Sequence, residues 1–234
     1  MSIADKTVLI TGASRGIGQA LTDEALRRGA GRVFAAARRP VAHPDGRVTP
    51  LRMDVTDAAQ IRAAAERVGS LDVLVNNAGL ALFEGLGDRA TLERHLAVNL
   101  FGTYAVTEAF LPQLTSSRGA IVNNLSLNSL APLPALAAYS VSKAAAFSLT
   151  QSLRTSLAER GVRVHAVLTG PTDTDMVRGL DIPKASAESV ARAIFDAVDR
   201  GEEDIFPDPL AQALADGWRN GAVKAFERQL AQVR

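Results

Sequence analysis

Apolar residues in this chain follow two rhythms that take turns along its length. Short apolar runs of β-branched character, too brief for a buried helix, read as strands at Thr7–Ile10, Arg32–Ala37, Val48–Met53, Leu71–Val75, Ala120–Leu125 and Val162–Leu168, with a shorter one at Asp204–Phe206. Between them, apolar positions recur three and four apart. In the first such stretch Ile17, Ala20, Leu21 and Leu26 share a face, and Gly29 ends the pattern. Ala58–Val68, Arg89–Leu114, Tyr139–Glu159 and Ala185–Asp199 read as further helices, and Leu210–Val233 as a C-terminal helical segment. Strand and helix alternating in units of this size predict an α/β fold: a doubly wound, mostly parallel sheet of about seven strands with helices on both faces. No linker, repeat or low-complexity stretch divides the chain, and Gly201–Pro209 is turn-rich but short, so residues 1–234 read as a single domain.

In such a sheet ligands bind at the carboxyl ends of the strands, and the first strand-to-helix turn is where a diphosphate lies. That turn here holds Gly12, Gly16 and Gly18, spaced G-x-x-x-G-x-G. Gly12 makes the bend, Gly16 lets backbone amides approach a phosphate, and Gly18 allows close helix packing. The fold is therefore expected to be of the Rossmann, dinucleotide-binding type. An NAD site wants an acid at the end of the second strand, whereas an NADP site wants cations for the 2′-phosphate. The second strand ends in Ala37-Arg38-Arg39, and Arg15 sits inside the glycine turn, so the charges favour NADP(H).

Composition narrows the classes further. A hydrophobic share of 47% and a charged share of 22% over 234 residues are those of a globular protein. The formal net charge of +1, with no basic block or acidic tail, argues against nucleic acid as a partner. Cysteine is absent, which removes disulfides, thiolate metal sites and cysteine nucleophiles. His43, His95 and His165 lack ligand spacing and read as surface or core residues, so no metal site is expected. Trp218 reads as packing or interface rather than chemistry. Met1–Lys6 leave no room for a signal peptide before the first apolar run, and no apolar segment reaches the ~18 residues of a membrane span. A cytoplasmic protein is expected.

Tyr139 and Lys143 are four apart in a helical stretch and share a face. A phenol titrating near ~10 needs about 4 kcal/mol of anion stabilisation to act as an acid near neutrality, and a cation at ~4 Å in a medium of dielectric ~20 supplies about that. Spacing alone favours an exposed, solvated helix face, and only the rest of the chain overturns that reading.

Taken together, these residues resemble the short-chain dehydrogenase/reductase family over nearly the whole chain. Thr11-Gly12-Ala13-Ser14-Arg15-Gly16-Ile17-Gly18 is similar to its cofactor motif, Asn76-Asn77-Ala78-Gly79 to its N-N-A-G signature, and Tyr139 with Lys143 to its Y-x-x-x-K. Asp54 resembles the adenine-binding Asp, Asn99 the active-site Asn, and Ser126, thirteen residues before Tyr139, the active-site Ser. The resemblance implies a dinucleotide lying against Gly12, Ser14, Arg15, Gly16, Ile17, Gly18, Arg38, Arg39, Asp54, Val55, Asn77, Ala78 and Gly79. Farther along the chain the same site would take in Tyr139, Lys143, Gly170, Thr172 and Thr174. Two departures stand out. Asn123-Asn124-Leu125 brings polarity into the fifth strand and replaces one of two usual serines, and Thr169-Gly170-Pro171 replaces the usual Pro-Gly after the sixth.

The resemblance further implies Tyr139 as general acid and base for interconverting a carbonyl and an alcohol, its phenolate favoured, and its pKa lowered, by the Lys143 ammonium and the charge of the oxidised nicotinamide. Ser126 would bond the substrate oxygen, and Asn99 would hold a water in a proton relay. Leu80, Leu82, Leu127–Leu130, Pro132–Leu136 and Pro171–Met176 are expected to border an apolar pocket, with Met176–Pro183 too short for a lid. The substrate would be a small apolar or aryl/alkyl carbonyl or alcohol, and the protein a homodimer or homotetramer. The alternative function is a non-catalytic NADP-binding sensor or scaffold on the same fold.

Overall fold

A computed structural model describes residues 1–84, 86 and 88–231. Seven strands, β1 (Thr7–Thr11), β2 (Arg32–Ala37), β3 (Val48–Arg52), β4 (Val73–Asn76), β5 (Ala120–Asn124), β6 (Arg163–Val167) and β7 (Asp204–Ile205), form one sheet in the order β3-β2-β1-β4-β5-β6-β7. Every pairing is parallel. The expected mostly parallel sheet is thus wholly parallel among the described residues.

Parallel strands buried on both faces explain the unbroken apolar runs. In β1, Val8 and Ile10 join one core, and Leu9 points into the other. Helices α1 (Gly16–Arg27) and α6 (Ala187–Arg200) cover the first face through Leu21, Ala25, Val190, Ile194 and Phe195. On the second face lie α2 (Ala58–Val68), α4 (Thr103–Ser117) and α5 (Ala137–Leu157), anchored by Ile61, Phe110, Leu114 and Leu157. Phe110 is fully buried, and truncating it to alanine would remove about 3–5 kcal/mol. Strand order reverses between β1 and β4, so a crevice opens there at the carboxyl edge of the sheet.

Two expected elements are subdivided in the structure, the first without any interruption of the helix. The Arg89–Leu114 helix is α3 (Arg89–Leu96), a π-helical turn at Ala97–Gly102, and α4. The C-terminal segment is α7 (Pro209–Arg219) and α8 (Ala222–Leu230), with the turn at Asn220-Gly221; Val233 lies outside the described residues. Lys224 of α8, only 2% exposed, reaches Asp204 Oδ2 at 2.8 Å and Glu227 Oε2 at 3.0 Å. Arg154 meets the other Asp204 oxygen at 2.7 Å. Trp218 donates to Asp204 Oδ2 at 2.8 Å and packs its ring against Phe147, which is the packing role read from the sequence. No described helix is long and apolar enough to cross a membrane.

Candidate active site

The turn between β1 and α1 is shaped for an anion. Gly12 and Gly16 have φ of 66° and 56°, the left-handed region that favours glycine. A Cβ on Gly18 would stand 2.2 Å from the Gly12 carbonyl oxygen and 2.6 Å from Asn77 Nδ2, so only glycine lets the helix close on the turn. Helices α2, α3, α6 and α7 are capped by Asp57, Asp88, Ser186 and Asp208, whereas Arg15 at the start of α1, like the residues that begin α5 and α8, caps no N–H with its side chain. The first-turn amides of α1 stay open toward the crevice, and no acid lies among them.

The crevice is a cleft of about 1110 Å³. Its lining includes Gly12, Ser14, Arg15, Gly16, Ile17, Gly18, Arg38, Arg39, Asp54, Val55, Asn77, Ala78 and Gly79 at one end and Ser126, Tyr139, Lys143, Gly170, Thr172 and Thr174 at the other. Of the catalytic and cofactor-binding residues expected from the sequence, all but Asn99 lie along it. Thr11 Oγ1 accepts from the amides of Asn77 and Ala78, both at 2.9 Å, and ties the two motifs together. Arg15, Arg38, Arg39 and Arg52 surround one mouth, with Asp54 turned in on Thr56.

On the cleft floor, α5 brings Tyr139 and Lys143 beside Ser126, which follows β5; all three residues are buried. Burial pushes the Tyr139 phenol up to about 12, and the neighbouring Ser126 hydroxyl pulls only weakly against it. Burial likewise pushes Lys143 down to about 8. Lys143 alone therefore does not lower the phenol, for a geometric reason. Lys143 Nζ lies 5.7 Å from the Tyr139 ring centre and donates at 2.8 Å to the carbonyl of Asn124. Desolvation outweighs an ammonium turned to another partner.

Asn99 sits behind the cleft wall, inside the π-helical turn. Its amide clasps the backbone of Leu80, accepting from N at 2.8 Å and donating to O at 2.9 Å, and it donates again to Ser142 Oγ. One turn earlier, His95 is fully buried. Its Nδ1 lies 2.8 Å from the Thr91 carbonyl and its Nε2 takes the Leu82 amide at 3.1 Å, contacts that a neutral ring protonated at Nδ1 satisfies. The ring also meets Tyr139 edge to face at 6.3 Å. His43 pairs with Asp23, and His165 is buried against the Glu202 carbonyl. Among the described residues no cluster of metal-ligating side chains occurs.

Apolar side chains line the remainder of the cleft: Leu80, Phe83, Leu127, Leu133, Leu136, Met176, Val177, Leu180, Ile182 and Leu210. Leu82, Ser129, Leu130, Pro132, Pro134, Ala135 and Asp173, expected there, do not line it; Leu82 is turned by its bond to His95. Phe83 and Leu210 are additions. Leu210 comes from α7, far along the chain, and no local signal marks it. Asn124, Thr169 and Asp208 were likewise unassigned, although the first two coincide with the departures noted in the sequence. Asn124 Oδ1 accepts from Thr169 Oγ1 at 2.7 Å, and Asp208 Oδ2 accepts from the Gly170 amide at 2.7 Å.

Comparison with known proteins agrees with this geometry. Residues 6–184 match the short chain dehydrogenase family. The chain is 33% identical over 213 residues to the oxidoreductase UcpA of Salmonella typhimurium, covering 82% of this chain and 81% of that protein. It is 36% identical over 208 residues to 2-(S)-hydroxypropyl-CoM dehydrogenase 3 of Xanthobacter autotrophicus, with 82% of each chain covered. A short chain dehydrogenase from Burkholderia cenocepacia, solved in complex with NADP, superposes with a TM-score of 0.90 at 35% identity, covering 98% of this chain and 99% of that one. A single parallel sheet, a glycine turn open to an anion and a buried Ser-Tyr-Lys floor thus meet in one sequence, and the chain belongs to the short-chain dehydrogenase family of oxidoreductases.

Proposed function

We propose that this protein interconverts an uncharged apolar ketone or aldehyde and the matching alcohol by hydride transfer, using NADP(H) and Tyr139 as the general acid and base. The observation that carries this reading is the convergence of Ser126, Tyr139 and Lys143 on the floor of a cleft whose other end is the uncapped glycine turn. The turn fits a diphosphate because a Cβ would fill it. Arg15, Arg38 and Arg39 fit a 2′-phosphate, since guanidinium forks match phosphate oxygens and no acid ends β2 to compete. The Burkholderia relative's complex supports the same cofactor. When bound, the nicotinamide supplies or accepts the hydride.

The residues of this chain handle the proton and the geometry. A phenol held near 12 keeps its proton at neutral pH and gives it up as the substrate oxygen gains charge, while the Ser126 hydroxyl donates to that oxygen. Lys143 keeps most of its charge at neutral pH and favours the resulting phenolate. Asn99 fixes the Leu80 backbone and so the wall beside the tyrosine. Apolar walls favour alkyl or aryl groups, and among the described residues Lys143 is the only cation lining the substrate half. We place the protein in the cytoplasm as a homo-oligomer, its contact face the exposed Phe101, Tyr104 and Val141. Following NADPH absorbance against a panel of carbonyls tests the reading: turnover of apolar ketones is expected, and binding of NADPH with no turnover of any carbonyl would favour the sensor.

A further inference from the structure

Two oddities of the sequence turn out to be partners. Polar Asn124 ends β5 where an apolar run is about to bury itself, and Thr169 stands just beyond β6. Asn124 lies opposite Val167 in the sheet, so Thr169, two residues on, presents its side chain on the same face. The hydroxyl of Thr169 donates to Asn124 Oδ1 at 2.7 Å. The other end of the amide donates to Asn77 Oδ1 at 2.9 Å, and Asn77 in turn donates to the Thr11 and Gly12 carbonyls. With both ends engaged, the amide is locked against rotation.

We propose that Asn124 and Thr169 are positioning residues, whose side-chain hydrogen bond fixes the main-chain carbonyl on which the Lys143 ammonium rests. This rests on the reading of Tyr139 and Lys143 as the proton-delivery pair. An ammonium on a four-carbon stem has three donors and free rotation, so its aim depends on a rigid acceptor. The Asn124 carbonyl is that acceptor, at 2.8 Å. Its peptide is held on the far side by the Leu125 amide, which donates to Val167 at 2.8 Å. Thr169 is held from behind as well, because Asp208 grips the next amide, and a Cβ on Gly170 would come within 2.5 Å of Asp208 Oδ1. An apolar residue at 124 or a proline at 169 would lack the side-chain groups that make the bond.

Thr169→Val removes the hydroxyl and keeps the shape; Thr169→Ser keeps the hydroxyl. The first readout needs no turnover: with only four lysines in the chain, the side-chain carbon resonance of Lys143 in cofactor-free, 13C-lysine-labelled protein is resolvable by comparison with Lys143→Met. It is expected to shift in Thr169→Val and to stay within line width in Thr169→Ser. The second is kinetic: kcat of Thr169→Val is expected to fall about tenfold with NADPH dissociation constant and KM within twofold, and Thr169→Ser to recover most of the loss. An unmoved Lys143 resonance in Thr169→Val, or equal loss in both variants, overturns the proposal. If wild-type protein turns over no carbonyl while the resonance behaves as expected, the functional reading fails and the positioning stands. Should Thr169→Val not fold, Thr169→Ala takes its place in both measurements.

Discussion

Arg15 Nη1 lies 2.9 Å from Asp175 Oδ2, an ion pair that spans the mouth of the cleft from the glycine turn to the loop after β6. Asp175 also contacts Arg178. Both partners of the Arg15 pair are substantially exposed, so the pair is worth about 0.2–1 kcal/mol. A phosphate arriving at the mouth competes with Asp175 for the same guanidinium. Asp175→Asn should therefore tighten NADPH by roughly twofold to fivefold and leave NADH unchanged, measured by fluorescence titration of both cofactors.

Arg38→Ala removes a guanidinium from the same mouth and leaves Ser126, Tyr139 and Lys143 untouched. A charge-assisted hydrogen bond contributes about 1.5–3 kcal/mol, so NADPH affinity should fall roughly tenfold to a hundredfold while NADH changes little. Equal losses for both cofactors would tell against recognition of the 2′-phosphate.

Tyr139→Phe removes one hydroxyl from a residue already buried and leaves its ring against His95. Positioned acids contribute ~100-fold to ~10,000-fold, and turnover should fall within or beyond that range while the NADPH dissociation constant stays within about twofold. Activity close to wild type would end the assignment.

Lys143 carries a stability penalty. Its pKa falls from 10.5 to about 8 on burial, so between those values the unfolded chain holds a proton that the folded chain has released. Stability therefore rises with pH through that window, and below about 8 the folded state bears the full penalty, about 3 kcal/mol. Lys143→Met should be inactive yet more stable at pH 7 by up to that amount, with the gain vanishing above pH ~10, as read by denaturant melts across pH.

The α8 anchor responds in the opposite way. Asp204 has its pKa lowered despite burial, chiefly by the Arg154 charge and the Lys224 ammonium, and Lys224 has its pKa raised by its bond to Asp204. The carboxylate's contribution is complete above its unfolded pKa near ~4 and is lost as pH falls through the lower folded value; the ammonium's is complete below ~10 and is lost as pH rises through the higher one. Asp204→Asn should cost about 3 kcal/mol at pH 7 and much less in acid, checked by melting temperature against pH.

The strands and the glycine turn were legible because each is written locally: β1 must be apolar at Val8, Leu9 and Ile10 to lie between two helical layers, and Gly18 has no room for a Cβ. The order of motifs along the chain likewise singles out Ser126, Tyr139 and Lys143, which the fold gathers along one cleft. What stayed hidden depends on register between distant segments. No local pattern says that Thr169 faces Asn124, because that follows from the pairing of β5 with β6. The upward shift of Tyr139 was missed for a related reason, since spacing sets its distance from Lys143 only loosely and says nothing of the carbonyl that captures the ammonium. The π-helical turn in the long helix was hidden because an apolar repeat of three and four residues absorbs one extra residue without losing its face.

That extra residue divides responsibilities along one continuous rod. Before the π-helical turn the side chains answer to the site, with His95 against Leu82 and Tyr139; after it they answer to the sheet, with Val106, Phe110 and Leu114 in the core. Asn99 sits at the junction. Substitutions upstream can remodel the wall that a substrate meets while the downstream packing keeps its own phase, so this segment offers selection, natural or in the laboratory, a place to change preference without renegotiating stability.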